Sequence, residues 1–347
     1  MHLIQTTKGK VELSNIDMIC PHEHLFIDMT HEAIVPETAQ LVAIFEGQVS
    51  IEKLGLLRRN PYVVKSNLIL EDIESAVSEM QPLIELGCGL IVDVTSIGLG
   101  RNVHRVNELS DRTGIPVSVG CGFFTHDSVP DKYKCWDANR IADFMLNEIE
   151  NGVDQTGVLP GVIGEIGVSE EINPFELQSL KGAAITQMAS GLPLYLHTYP
   201  WSHSGLEATR LLIDLGVPPN QICVCHLDVS FDHDYIREFL NMGVYVEFDN
   251  FGKEFFFPPQ NGAFAGGPFE TDRARVSMLI ELVKEGYINQ LLLANDICLK
   301  SMLCAFGGWG YAHVHTNIKI MLEAENVSSN NIDLLLTINP RSFLGCR

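Results

Sequence analysis

The sequence predicts a single-domain (β/α)8 TIM barrel. Short apolar, β-branched runs recur eight times along the chain, amphipathic stretches of helical period separate them, and several of the runs end on a His, Asp or Glu. Alternation of strand and helix repeated eight times argues for a parallel sheet closed on itself. At 347 residues the chain exceeds the ~250 typical of such a barrel and lies within its usual spread.

The strands are expected near Ile16–Leu25, Leu90–Thr95, Pro116–Gly122, Gly161–Gly167, Pro193–Thr198, Gln221–Leu227, Val244–Asp249 and Leu291–Asp296. Between them Glu71–Leu86, Ala138–Glu150, Phe175–Ser190, Leu206–Leu215, Tyr235–Met242 and Arg273–Glu285 carry the 3.6-residue period of helices. An open doubly wound sheet is the competing fold. It usually begins with a glycine-rich phosphate turn, and here Pro-His-Glu-His follows the first strand instead. Two insertions are expected on the catalytic face. One is 28–67, with helical turns of its own. The other is 251–271, whose Pro, Gly and Phe content suits either a pocket wall or a plain surface loop.

Composition excludes several function classes. Hydrophobic residues make up 46% of the chain, enough for a large core, yet no apolar run reaches the ~18 residues of a membrane span. The opening ten residues are mixed and do not read as a signal peptide, so the expected location is cytoplasmic. Nine cysteines, odd in number and without a CxxC pair, fit reduced structural thiols. A net charge of −21 makes nucleic acid and anionic membrane poor partners, leaving a small-molecule substrate.

The strongest local signal is His22-Glu23-His24 at the end of the first apolar run. Residues i and i+2 of a strand face the same way, so the two imidazoles point together and Glu23 points away. Alone, such a pair reads better as two hydrogen-bonded structural histidines. The remaining strand ends add to it. Glu165 lies in "GVIGEIG" at the fourth, His197 ends "LPLYLH" at the fifth, His226 ends "ICVCH" at the sixth and Asp296 ends "LLLAND" at the eighth. These are the positions where barrel active sites are built. Each has a plainer role available, Asp296 as a helix cap and Glu165 as a partner for Arg101, but the six together point to a metal centre.

Imidazole and carboxylate without thiolate suit Zn, Mn, Co or Fe better than Mg or Ca. Four histidines and two carboxylates exceed what one tetrahedral catalytic zinc with an open position uses, whereas two divalent ions use all six.

With "CPHEHL", "GVIGEIGVSE", "CHLD", "ANDI", "GGWGYAH" and "TINPRSFLG", the chain resembles, over nearly its full length, the phosphotriesterase-related branch of the amidohydrolase superfamily, including its resiniferatoxin-binding type. The resemblance implies that His22 and His24 hold the more buried ion with Asp296, that His197 and His226 hold the more exposed one, and that Glu165 bridges them. The best-known members use a carbamylated lysine as the bridge. A glutamate is shorter and its backbone must come closer, which Gly164 is expected to allow by a bulge. The family also implies homodimers.

The expected activity is therefore hydrolysis of a small neutral or anionic substrate by a hydroxide held between two ions, with Asp296 accepting the proton. Amide, lactone and ester bonds all suit it. A phosphorylated sugar lactone or a phosphoester is the alternative, and a catalytically silent binding barrel the least favoured. Arg101 and Lys253 are candidate holders of an anionic group. Phe123, Tyr199, Trp201, Trp309 and Tyr311 follow strand ends and are candidate pocket residues.

Overall fold

The computed structural model describes residues 2–229, 232–256 and 267–345. Eight parallel strands form one sheet in sequential order: β1 (Ile19–Glu23), β2 (Leu90–Asp93), β3 (Val117–Cys121), β4 (Val162–Gly167), β5 (Leu194–His197), β6 (Ile222–Val224), β7 (Tyr245–Phe248) and β8 (Leu291–Leu293). Each lies within a run expected from the sequence. The Asp296 amide donates to the His22 carbonyl at 3.3 Å, which joins the last strand to the first.

Side-chain alternation sets the two layers. Leu90, Val92, Val162, Tyr195, Cys223, Tyr245 and Leu292 fill the barrel interior with Phe343, and the residues between them face the helices. The helices are Ala138–Asn151, Pro174–Ser190, Ser204–Asp214, His233–Met242 and Asp272–Lys284, as expected to within a few residues. The stretch expected as one helix, 71–86, is two: Ile73–Glu79 and Gln81–Leu86. Pro82 lacks an N–H and can stand only in the first turn of a helix, so a new one starts there. Three elements had no counterpart in the sequence reading: an N-terminal hairpin (Leu3–Thr6 with Gly9–Glu12), the helix Val103–Thr113 after β2, and helical segments from Val314 to Gly345.

Two strands carry an extra residue that matters for the site. On β4, Ile163 and Ile166 pair with Leu194 and Leu196 of β5, three residues against two. Both isoleucines pack in the outer layer, although residues three apart on a regular strand face opposite ways. The extra residue turns Glu165 inward. Room exists because β3 presents only Ser118 and Gly120 to the interior: a Cβ on Gly120 would collide with the Gly164 carbonyl oxygen. The Glu165 amide then reaches past β3 and donates to Val94, beyond β2, at 2.8 Å. A register shift of the same kind separates Cys20 from Glu23 on β1 and brings His22 to the inner face.

Among the described residues no helix is long and apolar enough to cross a membrane. The eight described cysteines form no disulfide.

Candidate metal centre

At the C-terminal rim the ends of five strands deliver six buried donors to one point. β1 supplies His22 and His24, β4 Glu165, β5 His197, β6 His226 and β8 Asp296, all at most 5% exposed. His24 Nε2 lies 3.1 Å from Asp296 Oδ1, and His22 Nε2 lies 3.6 Å from the same oxygen. On the other side His197 Nδ1 and His226 Nε2 are 2.8 Å apart. Glu165 stands between the two groups. Its Oε1 is 2.8 Å from His226, 3.3 Å from His197 and 3.7 Å from His22, while Oε2 is 3.9 Å from His24. His226 and Asp296 hold positive φ, +65° and +46°. Non-glycine residues in this region carry strain that tends to collect at functional sites.

The outer nitrogens of three imidazoles are anchored. His22 Nδ1 contacts Glu247 at 2.8 Å, His226 Nδ1 contacts Asp249 at 3.0 Å, and His24 Nδ1 contacts the Thr95 hydroxyl at 2.8 Å. Such partners fix ring orientation and tautomer and direct the other nitrogen inward. Glu247 and Asp249 were missed in the sequence reading. They continue the inward row from Tyr245 on β7, a period-two signal in "YVEFD". The side chain of Glu23 faces outward, as expected, and accepts from Asn295 Nδ2 at 2.8 Å and the Ile297 amide at 2.9 Å. Burial pushes its pKa up to about 8 against those hydrogen bonds.

The electrostatics of this cluster call for cations. Burial works against charging His22, yet Glu247, Glu165 and Asp296 outweigh it and push its pKa up to about 10. His226 is raised in the same way by Asp249 and Glu165. The carboxyl of Glu165 is held low despite burial by His197, His226 and His22. Four buried carboxylates thus draw positive charge onto His22 and His226, while burial holds His197 below its ordinary value. Within the cluster His22 Nε2 and Asp296 Oδ1 are buried without a hydrogen-bond partner, and an orphaned pair of this kind is costly unless something else engages it. Donor sets able to hold an ion include His22–His24–Glu165 and Glu165–His197–His226. Nitrogen and oxygen donors, orphaned atoms and excess negative charge all fit divalent metal ions.

The residues expected to hold substrate are distributed differently. Lys253 lines the cavity above the centre, with its ammonium directly on Asp296 Oδ2. Arg101 does not face the cavity. It is bound by Glu148 at 2.6 Å and Asp154 at 2.7 Å, the first carboxylate buried with it and the second exposed. Phe123 is fully buried among Tyr133, Trp136, Phe144 and Phe175. Its neighbour Phe124 faces the cavity instead, because the inward row of β3 runs Ser118, Gly120, Gly122, Phe124. Trp201 stands behind the wall, edge-on to Phe269 at 5.7 Å, and Tyr199 lies beyond it against Trp201. Trp309 is 56% exposed and stacks on His313. Tyr311 is buried and donates its hydroxyl to the His24 carbonyl at 2.8 Å, so it positions a candidate ligand and does not touch the cavity.

A parallel barrel with imidazoles and carboxylates converging at its C-terminal rim defines a metal-dependent hydrolase architecture. Known proteins agree with this. The profile of the Phosphotriesterase family matches residues 2–344. An N-acetyltaurine hydrolase of Tetraodon nigroviridis is 31% identical over 344 residues, covering 98% of this chain and 97% of its own. Among solved structures, a resiniferatoxin-binding protein from Rhodobacter sphaeroides matches with a TM-score of 0.94 at 31% identity, over 99% of this chain and 95% of that one. A mutant of a phosphotriesterase-like lactonase from Deinococcus radiodurans matches at 0.76 and 25% identity, over 99% and 100%. The chain belongs to the phosphotriesterase family, and it is a hydrolytic enzyme of that type.

Proposed function

We propose that the protein hydrolyses a small amide, ester or lactone with two divalent cations, zinc first and Mn, Co or Fe by the same ligand preference. The observation that carries this is the convergence of four imidazoles on Glu165 and Asp296, with His22 Nε2 and Asp296 Oδ1 buried at the centre without a hydrogen bond. His22, His24 and Asp296 would hold one ion, His197 and His226 the other, and Glu165 would contact both. When bound, such ions would polarise the carbonyl oxygen of the substrate, making its carbon more electrophilic, and would acidify water.

The chain's own groups do the rest. Glu247, Asp249 and Thr95 hold the imidazoles in place. Lys253 fixes one oxygen of Asp296 and leaves Oδ1 aimed at the centre, where it accepts a proton from the attacking water and passes it to the leaving group or to solvent. In amide cleavage the C–N bond breaks, the water oxygen joins the acyl carbon and the amine leaves with the proton. The relatives named as N-acetyltaurine hydrolases favour the amide, and the lactonase neighbour supports a cyclic ester as the second reading.

The test is a hydrolysis screen of Zn- and Mn-loaded protein against N-acyl compounds, lactones and aryl esters, repeated after chelation. Turnover that chelator removes and added metal restores supports the proposal. Undiminished turnover by metal-free protein refutes it.

A further inference from the structure

We infer that the substrate is uncharged and apolar away from its scissile bond, and that the cavity selects against sulfonate, phosphate or carboxylate groups on it. This rests on the hydrolase reading above and narrows its substrate class.

Above the polar floor the cavity is walled by side chains such as Ile27, Met29, Leu99, Phe124, Phe269 and Leu299. Among the described residues lining it, Lys253 is the one lysine or arginine, and it is placed on Asp296, while the imidazoles belong to the floor. Glu32 adds a carboxylate to the same wall. Arg101, the other candidate anion holder, is turned away into Glu148 and Asp154. Residues 257–266 read FPPQNGAFAG and 230–231 read SF, so neither stretch brings a charged side chain.

An anionic group lodged against this wall would lose its water with no opposite charge to receive it. Glu32 and the net charge of −21 oppose its approach. An alkyl or aryl group instead exchanges water for apolar contact, and each added methylene is expected to raise kcat/KM by roughly threefold while wall remains to be covered. N-acetyltaurine, the compound in the name of several relatives, carries a sulfonate on its non-reacting end. This chain therefore takes a different member of the amide or ester class.

The test uses matched pairs with one scissile bond: N-acetyltaurine against N-pentylacetamide, and an alkyl γ-lactone against the same ring bearing a terminal carboxylate. The metal-loaded wild-type protein is expected to favour the uncharged member at least tenfold in kcat/KM. Met29→Lys, which places a cation on the wall, is expected to reduce that preference at least tenfold. Calorimetric binding of hexanamide and of taurine to the same protein gives a readout independent of turnover, with the amide expected to bind and taurine not. Equal or faster cleavage of the anionic member overturns the inference and leaves the hydrolase reading standing. If neither pair is cleaved but hexanamide binds and taurine does not, the inference holds and the choice of bond is wrong. Binding of neither, or of taurine alone, overturns it.

Discussion

Asp249 is the residue whose removal most cleanly separates a metal centre from a buried hydrogen-bond cluster. It touches none of the atoms that would face an ion. Its Oδ1 receives His226 Nδ1 at 3.0 Å and Asn250 Nδ2 at 2.6 Å, and its Oδ2 receives the His226 amide at 3.0 Å. Asp249→Asn keeps the shape but replaces one acceptor oxygen with an NH2 that must face an N–H donor. The substitution therefore loses at least one hydrogen bond and the charge that fixes the His226 tautomer. Outer partners of this kind typically contribute 10–100-fold to metal affinity, about 1.4–2.7 kcal/mol. With three bonds at stake and His226 held at φ +65°, the loss is expected near the upper end, about 30–100-fold. The assay is a chelator-competition titration with Zn, alongside circular dichroism to establish that the barrel is folded. Affinity within twofold of the parent in a folded variant would refute the assignment of His226 as a ligand.

Other outcomes follow from the same structure. Gly164→Ala places a Cβ 2.5 Å from the Tyr195 carbonyl at φ +112°, so the bulge must shift and Glu165 with it. Turnover is expected to fall at least tenfold with the fold retained, and unchanged turnover would show that Glu165 has no central role. Arg101→Met strands Glu148 inside the protein, and denaturant unfolding should show a loss of about 3 kcal/mol while KM for an uncharged substrate stays within twofold. A raised KM at unchanged stability would return Arg101 to the substrate site. Burial lowers the pKa of His315 from the ordinary 6.5 to about 4, its Nε2 donating to the Ile19 carbonyl. The unfolded chain then binds the proton more strongly between those values. The contribution of His315 to stability should be constant above pH 6.5 and fall by about 2–3 kcal/mol as pH drops to 4. Urea titrations of His315→Gln should show a shallower loss, and an identical slope in both proteins would exclude the histidine.

The barrel was legible because strands buried on both faces leave continuous apolar runs, and those runs end where the donors stand. His22, His24, Glu165, His197, His226 and Asp296 could be picked from run ends alone, and the structure brings all six within a few ångströms. What surrounds them depends on facing, which one residue of misreading reverses. Phe123 was chosen where Phe124 faces inward, and Glu247 and Asp249 were passed over although both share the parity of Tyr245. Arg101 shows a different limit. Its partners Glu148 and Asp154 lie some fifty residues away, across the next strand, and no local pattern links them. The bulge on β4 was foreseeable from Gly164, but the space for it comes from Gly120 on β3, a relation between strands that one strand's sequence does not hold.

The most direct measurement is an anomalous difference map, at the metal edge, from crystals grown with Zn. Two peaks are expected, one among His22, His24 and Asp296 and one between His197 and His226, both touching Glu165. A single peak displaced into the Cys225, Glu247 and Asp249 cluster, or no peak at all in crystals of protein that still turns over substrate, would contradict a two-ion centre at this rim.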